Sequence, residues 1–281
     1  MVLIEVRIDE VIPGVFTLDH EPADGKDVVL LTRRGGWAID AGNEAADGRA
    51  IRDLLARQAG RADRLILTHG HGDHIYGCEA LGAGEIIATV HAPEVIRCQA
   101  PAWARRFGGT EQEAPDHLPR PTLLFEGRVV LEEGDCTLEL FATPGHSADG
   151  LSVWVAQRRL LVCGDTVVTA IPPAIGDGDS RELERSLRLL LTFDAETLVS
   201  GHGPPLRGRA AIRHWIETTI GYLGAVRQRV RGALARGATD DCVVGAAPYD
   251  DLIGTRLPKD RFGMERRHAN VVAKVAKEER G

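Results

Sequence analysis

The 281-residue sequence has no uninterrupted apolar run near about 20 residues, the length that a membrane-spanning helix requires. It also lacks a basic block, because its 34 lysines and arginines are scattered and are outnumbered by 41 acidic residues, for a net charge of −7. Affinity for nucleic-acid backbones comes from clustered lysine and arginine side chains. The sequence therefore predicts a protein that does not span a membrane and does not bind nucleic acid.

Cysteines are few and are not spaced as pairs. There are 5, an odd number, and no C-x-x-C spacing occurs, which argues against a disulfide framework and favours a reducing compartment. The amino-terminal segment has no basic stretch followed by an apolar stretch and a small-residue cleavage site, so it does not indicate a signal peptide. These absences predict a cytoplasmic protein. The motif G-x-S-x-G is also missing, so serine hydrolysis finds no support.

What is present is the composition of a folded enzyme, with 43% hydrophobic and 27% charged residues. Short β-branched or apolar runs bounded by turn residues predict strands within 15–39, 64–67, 85–89, 122–168 and 197–199. Apolar residues at helical spacing predict helices over 47–59, 179–191, 208–236 and 261–278. Two halves of similar β-then-α order indicate an α/β fold, a four-layer αββα sandwich. We expect residues 1–207 to form this domain and residues 208–281 to form a helical extension packed on it.

A dense polar cluster occupies the segment T-H-G-H-G-D-H at 68–74, which contains His69, His71, Asp73 and His74. It follows a predicted strand, where a loop presents side chains at the edge of a sheet. Alternate loop positions can point the same way, so His69 and His71 can converge on one point, while Asp73 and His74 face a neighbouring point. Imidazole and carboxylate groups are ligands of zinc, iron and manganese. The cluster therefore predicts metal binding rather than a polar turn.

Three later segments repeat one design, in which a polar residue stands beside glycine where a strand ends. They are T-P-G-H-S with His146, L-V-C-G-D-T with Asp165, and V-S-G-H-G-P with His202. Taken singly, each is weak, because a histidine after a glycine turn is more often a surface loop residue. Together with the first cluster they supply seven candidate ligands on loops at strand ends.

The pattern H-x-H-x-D-H, followed by these three residues, resembles the metallo-β-lactamase superfamily of metallohydrolases over residues 11–210. The resemblance implies an αββα sandwich that holds two divalent ions, zinc above all, with iron or manganese as alternatives. It implies that His69, His71 and His146 hold one ion, that Asp73, His74 and His202 hold the other, and that Asp165 bridges both. It also matches Asp40, in A-I-D-A-G, to a buried aspartate beside the site, although a turn former after a strand is an equal reading.

The resemblance also implies a mechanism. Two ions that share one hydroxide lower the pKa of water towards about 7 and supply a nucleophile at neutral pH. Asp73 can orient that hydroxide or accept its proton, which makes it the candidate catalytic residue. Cys163 lies two positions before Asp165 on a strand and is expected to be a buried core residue rather than a ligand.

The function predicted from these features is metal-dependent hydrolysis of a small ester, thioester or lactone. Glyoxalase II-type thioesterases usually carry a third histidine where this chain has Gly70, and lactonases are expected to show a tyrosine after the bridging aspartate, where this chain has none. Persulfide dioxygenases with one iron, β-lactam-hydrolysing enzymes of the same fold and a non-catalytic metal-binding protein are the alternatives. A small-molecule substrate is the predicted partner, and the amphipathic helices after residue 208 predict a wall of the substrate pocket and a possible homodimer.

Overall fold

The computed structural model describes residues 6–21, 23–253, 257 and 263–281. The strands are β1 (Arg7–Ile12), β2 (Val15–His20), β3 (Gly25–Thr32), β4 (Gly35–Ile39), β5 (Arg64–Ile66), β6 (Glu85–Thr89), β7 (Leu123–Phe125), β8 (Arg128–Glu132), β9 (Thr137–Ala142), β10 (Leu151–Val155), β11 (Leu160–Val162), β12 (Thr197–Val199) and β13 (Leu206–Arg207). The helices are α1 (Ala45–Ala59), α2 (Gly72–Ile75), α3 (Cys78–Leu81), α4 (Ala92–Arg97), α5 (Ala100–Phe107), α6 (Ala114–His117), α7 (Ser180–Leu190), α8 (Arg209–Ala235), α9 (Asp240–Val243), α10 (Tyr249–Leu252) and α11 (Met264–Glu278).

The strands form two sheets. The first sheet has the order β1-β2-β3-β4-β5-β6-β7, and the second has the order β13-β12-β11-β10-β9-β8. In the first sheet β4, β5, β6 and β7 run parallel to one another, and in the second β11 and β12 are parallel. The carboxyl ends of these parallel strands open onto one edge of the sandwich, and the loops that follow them carry the polar segments of the sequence.

Side-chain alternation along the strands creates the layers. In β3, Val28 and Leu30 belong to the core between the sheets, whereas Val29 between them packs against the helical layer that contains α1. Such alternation follows from the two-residue period of a strand. Burial of each such aliphatic side chain stabilises the fold by about 1.5–3 kcal/mol. Trp37 and Ile39 of β4 continue the same inner layer.

Helices cover the outer faces of both sheets. The core on the outer face of the first sheet includes Ile51 and Leu55 of α1 and Leu81 of α3, and the core on the outer face of the second includes Leu183 of α7. The αββα sandwich predicted from the sequence is therefore confirmed. The helices beyond residue 208 belong to the same outer core, to which α8 contributes Ile216.

The last long helix is anchored by a buried histidine. His268 of α11 donates from Nε2 to the carbonyl of Ala247 over 2.7 Å and accepts at Nδ1 from the hydroxyl of Tyr222 over 2.8 Å. Val271, Val272 and the other apolar residues of α11 continue this core, which fixes the rotation of the helix about its axis. Residues 261 and 262, where the sequence predicted this helix to begin, lie outside the described residues.

Some elements are not among those predicted from the sequence, and β1 and β13 are two of them. β1 is an edge strand whose first four residues are all exposed, so it has no apolar alternation by which to recognise it. After the histidine cluster the chain forms two short helices, α2 and α3, rather than one, because it turns at Gly77, where a Cβ atom would lie 1.9 Å from the carbonyl oxygen of Ala41. Within the described residues, none of the helices has the length and apolarity needed to cross a membrane.

Candidate metal centre

Loops at the carboxyl ends of four strands deliver the candidate ligands to one edge of the sandwich. The segment after β5 carries His69 and His71, and α2 then presents Asp73 and His74. The β9–β10 loop carries His146, a single 3₁₀ turn after β11 carries Asp165, and the loop after β12 carries His202. The structure therefore brings together all seven residues that the sequence selected.

The side chains form two neighbouring groups. Nitrogens of His69, His71 and His146 all lie within 4.8 Å of one another, which is close enough to share one ion. Ligand atoms of Asp73, His74 and His202 meet the same limit and form a second group. This division into two groups is the one that the family resemblance implies.

Asp165 lies between the two groups. Its Oδ2 is 3.5 Å from Nε2 of His146, in the first group, and also 3.5 Å from Nε2 of His202, in the second. Its Oδ1 is 3.5 Å from Nε2 of His74. One carboxylate that contacts both groups has the position required of a bridge between two cations.

Hydrogen bonds on the outer side of the site fix the protons of His69 and His74. The hydroxyl of Thr68 donates to Oδ2 of Asp40 over 2.6 Å, so toward Nδ1 of His69, 3.1 Å away, it acts as an acceptor. His69 therefore carries its proton on Nδ1 and leaves Nε2 bare. His74 donates from Nδ1 to Oδ2 of Asp40 over 2.9 Å, which turns its Nε2 toward the site.

The other three histidines are oriented in the same manner. His146 donates from Nδ1 to the carbonyl of Ala174 over 2.7 Å, and His202 donates from Nδ1 to the carbonyl of Ala23 over 3.1 Å. In His71 the two ring nitrogens exchange these roles: Nε2 donates to Asp177 over 3.1 Å, and Nδ1 faces the site. The inward-facing Nδ1 of His71 then lies 2.8 Å from Nε2 of His146, within hydrogen-bond distance. Metal-ligating histidines characteristically donate their outer N–H to a carboxylate or carbonyl in this way.

Three inner atoms lack a hydrogen-bond partner among the residues that the structure describes. Nε2 of His69, Nε2 of His74 and Oδ1 of Asp165 are buried without a hydrogen-bond partner among the described residues. A buried polar atom without a partner is costly, so these atoms call for a ligand that the chain itself does not supply. Imidazole nitrogens and carboxylate oxygens converging on two points are a donor set that fits divalent cations.

The charge of the site also favours cations. Burial lowers the pKa of His202, but Asp165 and Asp73 outweigh burial and raise that pKa to about 10. Burial raises the pKa of Asp165, but His202, His146 and His74 outweigh it and hold that pKa well below its ordinary value. The carboxylates of the site are therefore ionised and attract positive charge. Without metal this charge is a proton on His202, and bound metal ions can supply it instead.

A cavity of about 400 Å³ opens onto these ligands. One side of it is formed by Gln99 from the segment between α4 and α5, and another by Ile175 and Asp177 of the loop before α7. Arg267 and Asn270 of α11 form a further part of the wall. The cavity therefore combines the loops that carry the candidate ligands with two parts of the chain that lie outside the two sheets. One is an excursion between β6 and β7, residues 92–121, and the other is the C-terminal helix α11.

Sequence reasoning missed the outer partners of the histidines. Asp177 belongs to no motif, Thr68 opens the histidine segment but was not selected as a partner, and backbone carbonyls such as that of Ala174 cannot be inferred from residue type. Asp40 was selected by its motif, and the structure places its carboxylate under both His74 and Thr68. Cys163, expected to be a core residue, is fully buried in the outer core of the second sheet, and burial raises the pKa of its thiol to about 12.

A sequence model of the metallo-beta-lactamase superfamily matches residues 23–202, a span that includes the whole candidate metal centre. The chain belongs to the metallo-beta-lactamase superfamily. Similar proteins include a hydroxyacylglutathione hydrolase of Acidiphilium cryptum, 25% identical over 258 residues that cover 88% of this chain and 97% of the relative. Another is a hydroxyacylglutathione hydrolase of Methylobacterium nodulans, 29% identical over 253 residues, 80% of this chain and 89% of the relative.

A third relative, the beta-lactamase-like protein 2 homolog of Caenorhabditis elegans, is 28% identical over 200 residues, which cover 68% of this chain but only 59% of the relative. Among solved structures, a sec-alkylsulfatase of Pseudomonas sp. matches with a TM-score of 0.72 and 16% identity, covering 97% of this chain and 50% of the sulfatase. A metallo-beta-lactamase of Pontibacter korlensis matches with a TM-score of 0.60 and 18% identity over 76% of this chain and 99% of its own. At these identities the two structures establish the shared fold alone.

Proposed function

We propose that this chain is a dinuclear metal-dependent hydrolase that cleaves a small ester, thioester or lactone. The observation that carries the proposal is the convergence of five inward-facing imidazole nitrogens on two points, with the Asp165 carboxylate in contact with both groups. His69, His71 and His146 would hold one ion, and Asp73, His74 and His202 the other. Zinc suits this nitrogen-rich donor set best, and iron or manganese would also fit.

The chemistry that the ions supply when bound is the acidification of water and the polarisation of the scissile carbonyl. The chain positions these events through Asp40, which holds Thr68 and His74, and through the carbonyls behind His146 and His202. Asp73 is partly exposed and lines the cavity, with its Oδ2 3.4 Å from Nε2 of His202. Burial raises its pKa, but His74 and His202 outweigh burial and keep the pKa well below its usual range. Asp73 is therefore ionised and is the carboxylate that can accept a proton at the cavity floor.

The thioester class receives support from the two hydroxyacylglutathione hydrolases, which align with most of this chain. At Gly70 this chain departs from the usual glyoxalase II pattern, which has a histidine there. A side chain at this position has little room, because its Cβ atom would lie 2.8 Å from Cγ1 of Ile96. The histidine that those enzymes usually carry there would collide with α4. We therefore propose the ester, thioester and lactone class without restricting it to glutathione thioesters.

We further propose residues 1–207 as the metallohydrolase domain and residues 208–281 as an extension that completes its pocket. The support is the shared outer core of the second sheet, to which α8 and α11 contribute, and the position of α11 in the cavity wall. The homodimer and the cytoplasmic location stay predictions.

A substrate panel tests the proposed reaction. The purified holoprotein would be assayed on thioesters, aryl esters, lactones, a β-lactam and a glutathione persulfide, before and after removal of metal with a chelator. We expect hydrolysis of members of the first three classes, its loss after chelation, and its recovery when zinc is returned. Oxygen consumption with the persulfide, together with one iron per chain, would instead identify a dioxygenase.

The wall formed by α11 leads to a prediction on substrate binding. Arg267→Met is expected to raise KM for an anionic ester or thioester about tenfold with little change in kcat, because a hydrogen bond to a charged group contributes about 1.5 kcal/mol. The matched control is Arg266→Met, since Arg266 is an exposed neighbour on α11 that does not line the cavity. Steady-state kinetics of both variants make the comparison. Equal KM values for both variants would show that α11 has no part in recognition.

A further inference from the structure

We propose that Asp149 is a positioning residue that clamps together the two loops of the first metal group, His69, His71 and His146. The inference rests on the proposed function, because it concerns how the chain shapes a metal site. Asp149 follows His146 by three positions, and its carboxylate makes none of the contacts that define the two metal groups. It is 1% exposed, so its charge is buried beside the centre.

The carboxylate of Asp149 accepts one hydrogen bond from each of the two loops. The backbone N–H of Gly70 donates to its Oδ2 over 2.7 Å. The hydroxyl of Ser147 donates to its Oδ1 over 2.6 Å. Hydrogen bonds to an ionised carboxylate are among the stronger ones in proteins, so both contacts restrain the atoms that make them.

The two donors are the chain neighbours of all three ligands in the first group. Gly70 stands between His69 and His71, and Ser147 directly follows His146. A shift of either donor moves the Cα atom of an adjacent ligand. The carboxylate therefore sets the separation between the H-x-H segment and the β9–β10 loop, which is the separation that brings Nδ1 of His71 to within 2.8 Å of Nε2 of His146.

The clamp is itself anchored to the sandwich. The backbone carbonyl of Asp149 accepts a hydrogen bond of 2.9 Å from the hydroxyl of Thr89, at the end of β6. The loop closes on itself through the N–H of Thr143 and the carbonyl of Gly150, 2.7 Å apart. Through Asp149, the H-x-H segment and the β9–β10 loop are therefore both held in a fixed position relative to β6.

The excursion closes the other side of the same segment. A Cβ atom at Gly70 would lie 2.8 Å from Cγ1 and 2.9 Å from the backbone nitrogen of Ile96 in α4, and 3.2 Å from Oδ2 of Asp149. Gly70 is therefore enclosed between α4 and the clamp. This enclosure gives a physical reason for glycine between the two histidines and makes the excursion at 92–121 part of the support of the metal site.

A metal titration with a matched control tests the clamp. The control is Glu133→Gln, because Glu133 is another buried carboxylate, 4% exposed, which accepts from Arg64 over 2.8 and 3.0 Å and from Thr32 over 2.7 Å, next to the start of β5 rather than its end. Apo forms of the wild type, Asp149→Ala and Glu133→Gln would be titrated with zinc against a chromophoric chelator. Thermal melting would be measured in parallel.

We expect Asp149→Ala to weaken one of the two zinc affinities about 10- to 100-fold, the usual consequence of removing an outer partner of a metal ligand. Glu133→Gln is expected to lower the melting temperature and to leave both zinc affinities within a factor of about three, since its contacts are remote from the ligands. Wild-type affinities in Asp149→Ala, or an equal loss in Glu133→Gln, would overturn the clamp. A wild-type chain that binds no divalent metal would overturn the proposed function as well. Failure of the clamp alone is therefore distinguished from failure of the metal-dependent hydrolase by the zinc affinity of the wild type.

Ser147→Ala keeps the test decisive should Asp149→Ala not fold. This variant removes one arm of the clamp and leaves the bond from Gly70 in place. We expect it to weaken the same zinc affinity by a factor of about three to ten, in keeping with the loss of one hydrogen bond of about 1 kcal/mol. An affinity equal to that of the wild type would overturn the proposal.

Discussion

Asp165→Ala is expected to reduce the bound metal from two ions per chain to at most one and to lower turnover by a factor of at least about 1,000. The reason is electrostatic, because two divalent cations at close range repel each other strongly when no bridging charge separates them. In the structure the Asp165 carboxylate lies 3.5 Å from His74, His146 and His202, so its loss affects both groups at once. Elemental analysis and kcat, measured on one preparation, check the prediction.

Asp165→Asn is the matched variant for that experiment. It keeps the shape of the side chain and removes its charge, so it separates the bridging role from simple packing. We expect it to resemble Asp165→Ala in metal content while its circular dichroism spectrum matches that of the wild type. Two metals per chain with full turnover in both variants would show that Asp165 is only a turn residue after β11.

Asp73→Asn is expected to lower kcat by a factor of about 100 to 10,000, the range that positioned acid–base groups contribute. The structure places this carboxylate in the cavity wall and beside His202, where it is ionised and within reach of substrate. Because the first group contains no atom of Asp73, at least one metal per chain is expected to stay bound. Turnover at saturating zinc measures the effect separately from metal loss.

The control for this variant is Asp53→Asn, which removes the same charge from an exposed position on α1. It is expected to leave kcat and metal content as in the wild type. A turnover of Asp73→Asn within a few-fold of the wild type, with saturating metal, would contradict a proton-accepting role for Asp73.

Much of the fold could be predicted because many strands are short apolar or β-branched runs bounded by turn residues. β6 (Glu85–Thr89) and β12 (Thr197–Val199) have the predicted bounds, and the apolar stripe of α8 packs into the outer core. β1 could not be predicted, because an edge strand exposed along most of its length needs no apolar pattern. The break between α2 and α3 depends on a close approach to Ala41, a tertiary contact without a local signal.

In the candidate site, too, local spacing could be predicted from the sequence and tertiary contacts could not. Spacing predicts part of the inner set, because His69 and His71 occupy alternate loop positions and Asp73 and His74 open a helix. The family resemblance supplies the roles of His146, Asp165 and His202. The outer hydrogen bonds depend on chain segments that are distant in sequence: Asp177 lies 106 residues from His71, and Asp149 lies 79 residues from Gly70. One sequence carries no signal for such pairs, so the orientation of the ligands becomes visible only in the fold.

The number of metal ions per chain tests the account most directly. Protein purified without chelators and dialysed against metal-free buffer would be analysed by inductively coupled plasma mass spectrometry, with the protein concentration determined by amino-acid analysis. The two groups of ligands joined by Asp165 predict two divalent ions per chain, chiefly zinc, and hydrolytic activity that rises with occupancy to that value. A single iron per chain, or full activity in protein free of metal, would contradict the dinuclear hydrolase.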